Sequence, residues 1–206
     1  MPLSQMRILL LFVLVIVPHL CAAQYPLQPQ EVEVPGQIVY KDSTVDVTFV
    51  VLKVRGGVSL ENLESKVRYI DKNGARKKIR PKNCEEISFK WDDQDIRMIA
   101  KRPVGESRRK KFLHLVVDGR ARFYEYFKTY RFIGRSQMYY ARITTVIYWY
   151  VEREDGKMIS PRPHGFNRKM SKFFESCPRL AERIKAGAYP ATETETVVKY
   201  YNANCQ

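Results

Sequence analysis

Polar and apolar residues alternate along residues 139–151. One set of positions carries Ala141, Ile143, Thr145, Ile147, Trp149 and Val151, nearly all apolar. The other carries Tyr140, Arg142, Thr144, Val146, Tyr148 and Tyr150, amphipathic side chains able to face water. Successive strand residues point to opposite faces, so this period of two predicts a strand with Ala141, Ile143, Ile147 and Trp149 turned toward a core. Residues 24–35, with Pro26, Pro29 and Pro35, read as an extended lead-in. Strands follow at 37–41 and 45–54, the second too apolar to be solvated on both faces. Arg55-Gly56-Gly57 breaks that run, and residues 59–64 suit a short helical turn or loop.

Turn chemistry organises the middle of the chain. Asn73-Gly74, Asp118-Gly119 and Asp155-Gly156 each separate two strand-like runs, at 67–70 and 75–80, 112–117 and 120–127, and 139–153 and 157–160. Such dipeptides accept the positive φ of tight hairpin turns. A two-residue turn at Asp155-Gly156 sets Glu154 opposite Lys157 as a surface pair. The glycines are unevenly spaced, which favours successive hairpins of one meander over propeller blades. An antiparallel β body over residues 34–160 is the expectation.

After Pro161-Arg162-Pro163 the period changes. Phe166, Met170, Phe173 and Phe174 recur at helical spacing, with Arg168, Lys169 and Lys172 between them. Ser176-Cys177-Pro178 restarts the chain, with Pro178 suited to the first turn of a second helix. Leu180, Ala181 and Ile184 form its stripe, and Gly187 is placed to end it. Residues 192–202 form a third helical segment, with Val197, Val198 and Tyr201 on one side. The fold class is therefore mainly β (α+β): an antiparallel meander or barrel-like sheet with a small C-terminal helical unit.

The N-terminus changes the setting. Arg7, an apolar run over 8–17 and Cys21-Ala22-Ala23 before Gln24 have the layout of a cleaved secretory signal. The run is about ten residues, against the roughly twenty needed to span a bilayer. Cleavage near Ala23 places the mature chain in a secreted or periplasmic location, with no transmembrane span remaining. The organisation is then 1–23 signal peptide, 24–163 β domain and 164–206 helical cap. The whole chain carries a formal charge of +14, and loss of residues 1–23 removes one Arg, leaving +13. A balance this basic favours anionic partners. Outside the cytoplasm these are anionic lipid, an acidic glycan or another envelope protein, and the same address argues against nucleic acid.

Cleavage leaves Cys84, Cys177 and Cys205. Cys177 begins the second helix and Cys205 lies just past the third, so folding the third back brings them together. An oxidising compartment then makes the bond, worth about 3.5 kcal/mol in the chain-entropy model. Cys84 is left as a buried, unpaired thiol.

The run Phe174-Glu175-Ser176-Cys177-Pro178-Arg179-Leu180, followed by residues 184–189, Tyr200-Tyr201-Asn202 and Cys205, resembles the tail of a group of uncharacterised secreted proteins of Bacteroidota. Val117-Asp118-Gly119 followed by Tyr124-Glu125-Tyr126 is similar to a hairpin of the same group, whereas Lys41-Asp42-Ser43-Thr44 stands where its members show Gly-Asp-Thr. The resemblance implies a bacterial envelope setting and carries no activity.

Catalytic signatures are missing from the sequence. His114 falls mid-strand, predicted opposite Phe123, and reads as a histidine on a strand face. His164 lies in the loop Arg162-Pro163-His164-Gly165 without a recognisable partner. Asp92, Asp93 and Asp95 are explained by an acidic turn between Trp91 and Ile96. No motif calls for a cofactor or a metal. The basic clusters carry more. Arg76, Lys77, Lys78, Arg80 and Lys82 follow the first tight turn, and Arg108, Arg109, Lys110 and Lys111 lead into Phe112 behind Lys101 and Arg102. If the strand ends bearing them are neighbours, the charges merge into one anion-facing patch; otherwise they are two solvated loops. These features favour a non-enzymatic, envelope-associated binding or structural module with a basic surface. The alternative is a hydrolase acting on an envelope polymer or glycan.

Overall fold

The computed structural model describes residues 29–54, 57–106, 108–132 and 142–205. The signal-like segment and Ala141 lie outside them. Among the described residues, eleven strands make one antiparallel sheet: β1 (Gln30–Val39), β2 (Thr44–Val54), β3 (Gly57–Val58), β4 (Val67–Ile70), β5 (Arg76–Ile79), β6 (Glu86–Trp91), β7 (Gln94–Lys101), β8 (Lys111–Val117), β9 (Ala121–Phe132), β10 (Arg142–Arg153) and β11 (Met158–Ile159). The spatial order is β11-β10-β9-β8-β7-β6-β1-β2-β4-β5, with β3 beside β2. Residues 86–159 thus form the expected meander, and the β1–β6 pairing joins it to the N-terminal hairpins. The sheet is curled but not closed into a barrel.

The turn predicted to hold two residues at Asp155-Gly156 holds three. Val151 faces Ile159 and Glu152 faces Met158, while the Arg153 amide donates to the Lys157 carbonyl. Glu154, Asp155 and Gly156 therefore make the turn, with Gly156 in the left-handed region at φ 77°. The β4–β5 hairpin matches it, with Gly74 at φ 79° and Asp71 Oδ1 accepting from the amides of Asn73 and Ala75. A left-handed glycine as the third turn residue is the usual three-residue solution. The extra residue moves Glu154 away from Lys157. Its carboxylate instead takes Arg120, with Nε at 2.7 Å from Oε2.

The sheet also begins earlier than the prolines suggest. Gln30 to Pro35 pair with residues 48–53 of β2, so the second half of the expected lead-in is strand. Gly36 permits this close packing: a Cβ there would lie 2.4 Å from the Ser88 carbonyl oxygen.

Both faces of the meander are buried, which corrects the reading of residues 139–151. Trp149 and Val151 pack toward the helices, as predicted, but Ile147 on the same face is 48% exposed. Tyr150, expected to face water, is fully buried on the opposite face with Leu113, Tyr124 and Tyr126, and Tyr148 is half-buried beside it. On that face the loop after β7 is tied to the sheet: Pro103 is buried, and Glu106 pairs with Lys128 at 2.8 Å. Alternation identified the strand but not which of its faces a loop covers.

A second core fills the curl of β1, β2 and β4–β8, built on Ile38, Phe49, Ile87, Met98 and Phe112. Leu63 and Cys84 are buried in it, and among the described residues Cys84 is the free cysteine. Burial pushes its thiol pKa up to about 11.

The C-terminal helices are α1 (Phe166–Phe173), α2 (Pro178–Lys185) and α3 (Thr194–Asn204), the last entered through a 3-10 turn. Phe166, Met170, Leu180, Ile184, Val197, Val198 and Tyr201 bury against Val117, Ala121, Phe123 and Val151 of the sheet. Gly187 ends α2 at φ 81°, with its amide on the Ile184 carbonyl and the Ala188 amide on that of Arg183. Cys177 and Cys205 are disulfide-bonded, their α-carbons 5.5 Å apart. Asn202 of α3 clamps the β8–β9 turn. Its Oδ1 accepts from the Ala121 amide at 2.8 Å, and its Nδ2 donates to the carbonyls of Ala121 and Asp118.

Reducing the disulfide is expected to lower the unfolding free energy by about 3 kcal/mol, read from urea melts with and without reductant. Asn202→Ala orphans the Ala121 amide and should cost about 1–3 kcal/mol. A loss under about 0.5 kcal/mol would mean that α3 does not hold the turn.

Candidate functional site: a cationic groove

Antiparallel pairing places the groove. Val67 faces Ile79, so the start of β4 lies beside the end of β5. Lys101 faces Lys111, so the end of β7 lies beside the start of β8. These two pairs of strand ends meet because the Phe112 amide donates to the Glu64 carbonyl at 2.9 Å. Between them runs an open groove of about 760 Å³, lined by Ser65, Lys66, Arg80, Pro81, Lys82, Arg102, Arg108, Arg109, Lys110 and Lys111. Eight of its ten lining residues are cationic and none is acidic. Among the described residues, no carboxylate lies within 4 Å of the charged end of Lys66, Arg80, Lys82, Arg102 or Lys110. Like charges gathered in a concavity focus a positive potential that attracts anions.

The two predicted clusters meet only in part. Arg80 and Lys82 of the first join Arg108, Arg109, Lys110 and Lys111 of the second in the groove. Arg76, Lys77 and Lys78 do not. They are exposed on β5, the edge strand of the sheet, beside Arg68 and Tyr69. Lys77 Nζ is 2.6 Å from Asp71 Oδ2, and Arg76 lies 4.0 Å from Glu33. The Lys77 ammonium, with help from nearby amides, holds the Asp71 carboxyl below its ordinary pKa. A row of cations on an edge strand deters pairing with another chain, which accounts for these three without a ligand.

Two contributors escaped the sequence reading. Lys66 is a lone lysine between loop and strand, distinguishable only once β4 is seen beside β8. Glu64 is buried at 7% exposure where β8 and β9 part, and nothing in Leu63-Glu64-Ser65 marks it. Its main-chain oxygen takes the Phe112 amide, its carboxyl is hydrogen-bonded by the Phe127 backbone, and Oε1 has no partner. Burial pushes its pKa up to about 8, against smaller opposing effects of that hydrogen bond and of Lys111.

The remaining candidates stand apart. Asp92 and Asp93 form the β6–β7 turn, with Asp92 in the left-handed region at φ 50°. His114 faces Glu125, not Phe123, with Nδ1 at 3.7 Å from Oε2. It borders a separate hollow with Trp91, Asp92 and Asp93. His164 is exposed in the turn before α1.

Compared with known proteins, the chain matches no family model, no curated protein and no solved structure. No helix among the described residues is long and apolar enough to cross a membrane.

The Glu64 carboxyl gives the fold a pH signature. A folded-state pKa raised above the unfolded value means that the native state holds its proton longer. Its contribution to stability is complete below about pH 4.5 and is lost as pH rises through about 8, at about 1.4 kcal/mol per pH unit between. Glu64→Gln keeps the main-chain bond and a neutral side chain. Denaturant melts of the variant should show this decline removed and higher stability at pH 8. Parallel pH profiles for the two proteins would refute the assignment.

Proposed function

We propose that this protein is an extracytoplasmic, envelope-associated binding module that holds an anionic ligand in the groove between the strand ends of β4–β5 and β7–β8. The observation that carries this reading is the groove lining, eight cations from separate stretches of chain and no acid. Random scatter in a chain with 36 Lys and Arg and 22 Asp and Glu does not favour such segregation. The ion-paired cations of β5 show the contrasting arrangement on the same molecule. The signal-like N-terminus and the resemblance of the C-terminal tail to secreted Bacteroidota proteins support the address. Binding, not turnover, fits a site made of permanent charges, since Lys and Arg supply attraction and hydrogen bonds without a base poised near neutral pH.

Two variants of equal charge change separate this from a general effect of basicity. Lys82→Glu, Arg102→Glu and Lys110→Glu together should weaken binding to phosphatidylglycerol vesicles or a sulfated polysaccharide at least about tenfold, each cation being worth about 1 kcal/mol beside an anionic surface. Arg76→Glu, Lys77→Glu and Lys78→Glu together should change it less than about twofold, since all three lie on β5 outside the groove and two of them sit beside carboxylates. Wild-type affinity should fall steeply with salt. Equal losses from both triples would leave only a diffuse charge effect.

A further inference from the structure

The groove does not end at Arg102 and Lys110. The same two residues also line a second hollow of about 500 Å³ that turns onto the outer face of β6–β9. Its chemistry differs from that of the first. Glu85, Glu86, Arg97 and Arg122 stand around it, over a floor that includes Ile99 and Leu115. Arg97 is held by both oxygens of Glu86, at 2.7 and 3.0 Å, and by Asp118 Oδ2 at 2.6 Å. Asp118 Oδ1 in turn takes Arg122 Nε at 3.0 Å. Lys101 Nζ, beside them, is 2.7 Å from Glu152, which also accepts from the buried Tyr124 hydroxyl. The first hollow is uniformly positive, whereas the second is mixed: beyond the two shared residues its lining sets Glu85 and Glu86 against Arg97, Lys101 and Arg122, so donors and acceptors alternate there.

Resting on the anion-binding reading, we infer that the ligand is an acidic glycan in which charged sugars are interspersed with neutral ones. Its acidic groups lie in the first hollow and its neutral, hydroxyl-bearing residues in the second. A hydroxyl both donates and accepts, and so matches alternating carboxylates and guanidiniums. A uniform polyanion such as polyphosphate fits the first hollow but meets Glu85 and Glu86 in the second, where like charges repel. A lipid chain finds little there, because Ile99 and Leu115 are only 9% and 8% exposed. Arg102 and Lys110 are the junction, and a ligand must pass them to use both hollows.

The test compares a hyaluronan hexasaccharide with inorganic polyphosphate by calorimetry on the full chain, with phosphatidylglycerol vesicles as a third probe. Removing two acceptors by Glu85→Ala with Glu86→Ala should weaken hexasaccharide binding about tenfold and tighten polyphosphate binding. Affinities that move in opposite directions cannot arise from a damaged fold. Movement of both in the same direction would overturn the inference while leaving the anion reading intact. So would binding of vesicles without binding of the hexasaccharide. The anion reading itself fails if no probe binds, or if Lys82→Glu with Lys110→Glu alters none of the affinities.

Discussion

The crossing of residues 59–66 over the mouth of the curled sheet is the constraint on which the rest depends. Leu63 enters the N-terminal core, Glu64 takes the Phe112 amide, and Glu61 Oε2 accepts from Thr145 at 2.8 Å and Thr129 at 3.2 Å. This short stretch thereby ties the β2–β4 connection to strands that lie far along the sheet order. It fills the gap where the β8–β9 ladder ends and fixes the distance between the two cationic strand-end pairs. A buried carboxyl with an unpaired oxygen is an expensive way to fill such a gap, since its ionised form is disfavoured. Its raised pKa shows how that cost is limited: at neutral pH the group stays mostly protonated.

Charge serves two ends on this molecule. On β5 it blunts a sheet edge, with carboxylates alongside. In the groove Lys66, Arg80, Lys82, Arg102 and Lys110 have no carboxylate beside them among the described residues, and their mutual repulsion is a standing cost in stability that an anionic ligand would relieve. The balanced Arg97–Glu86–Asp118–Arg122 network beside it shows that the fold can pair cations closely. The want of acid in the groove is therefore a local property rather than a consequence of overall basicity.

Much of the architecture was legible in the sequence because local chemistry specifies it. A glycine in each tight turn, the apolar spacing of Phe166, Met170 and Phe173, Pro178 opening a helix and Gly187 closing it all act within a few residues. The pairing of Cys177 with Cys205, 28 residues apart, was legible once the two helices were placed. What escaped depends on contacts distant in sequence. Tyr150 is buried because a loop folds across its face, and Ile147 is exposed because none covers it. Whether the basic runs merge into one patch was open in the sequence, because β5 extends Arg76, Lys77 and Lys78 along an edge while Arg80 and Lys82 pass beyond it into the groove. Lys66 and Glu64 acquire their roles only from the crossing.

That crossing is directly measurable through amide hydrogen exchange at Phe112. If the Glu64 carbonyl holds this amide within a continuous structure, it exchanges only on global unfolding, as slowly as the central amides of β7 and β8. Exchange at the rate of an open loop, with the β7 and β8 centres still protected, would mean that the two cationic strand ends are not joined and that the groove is not a fixed feature of the fold.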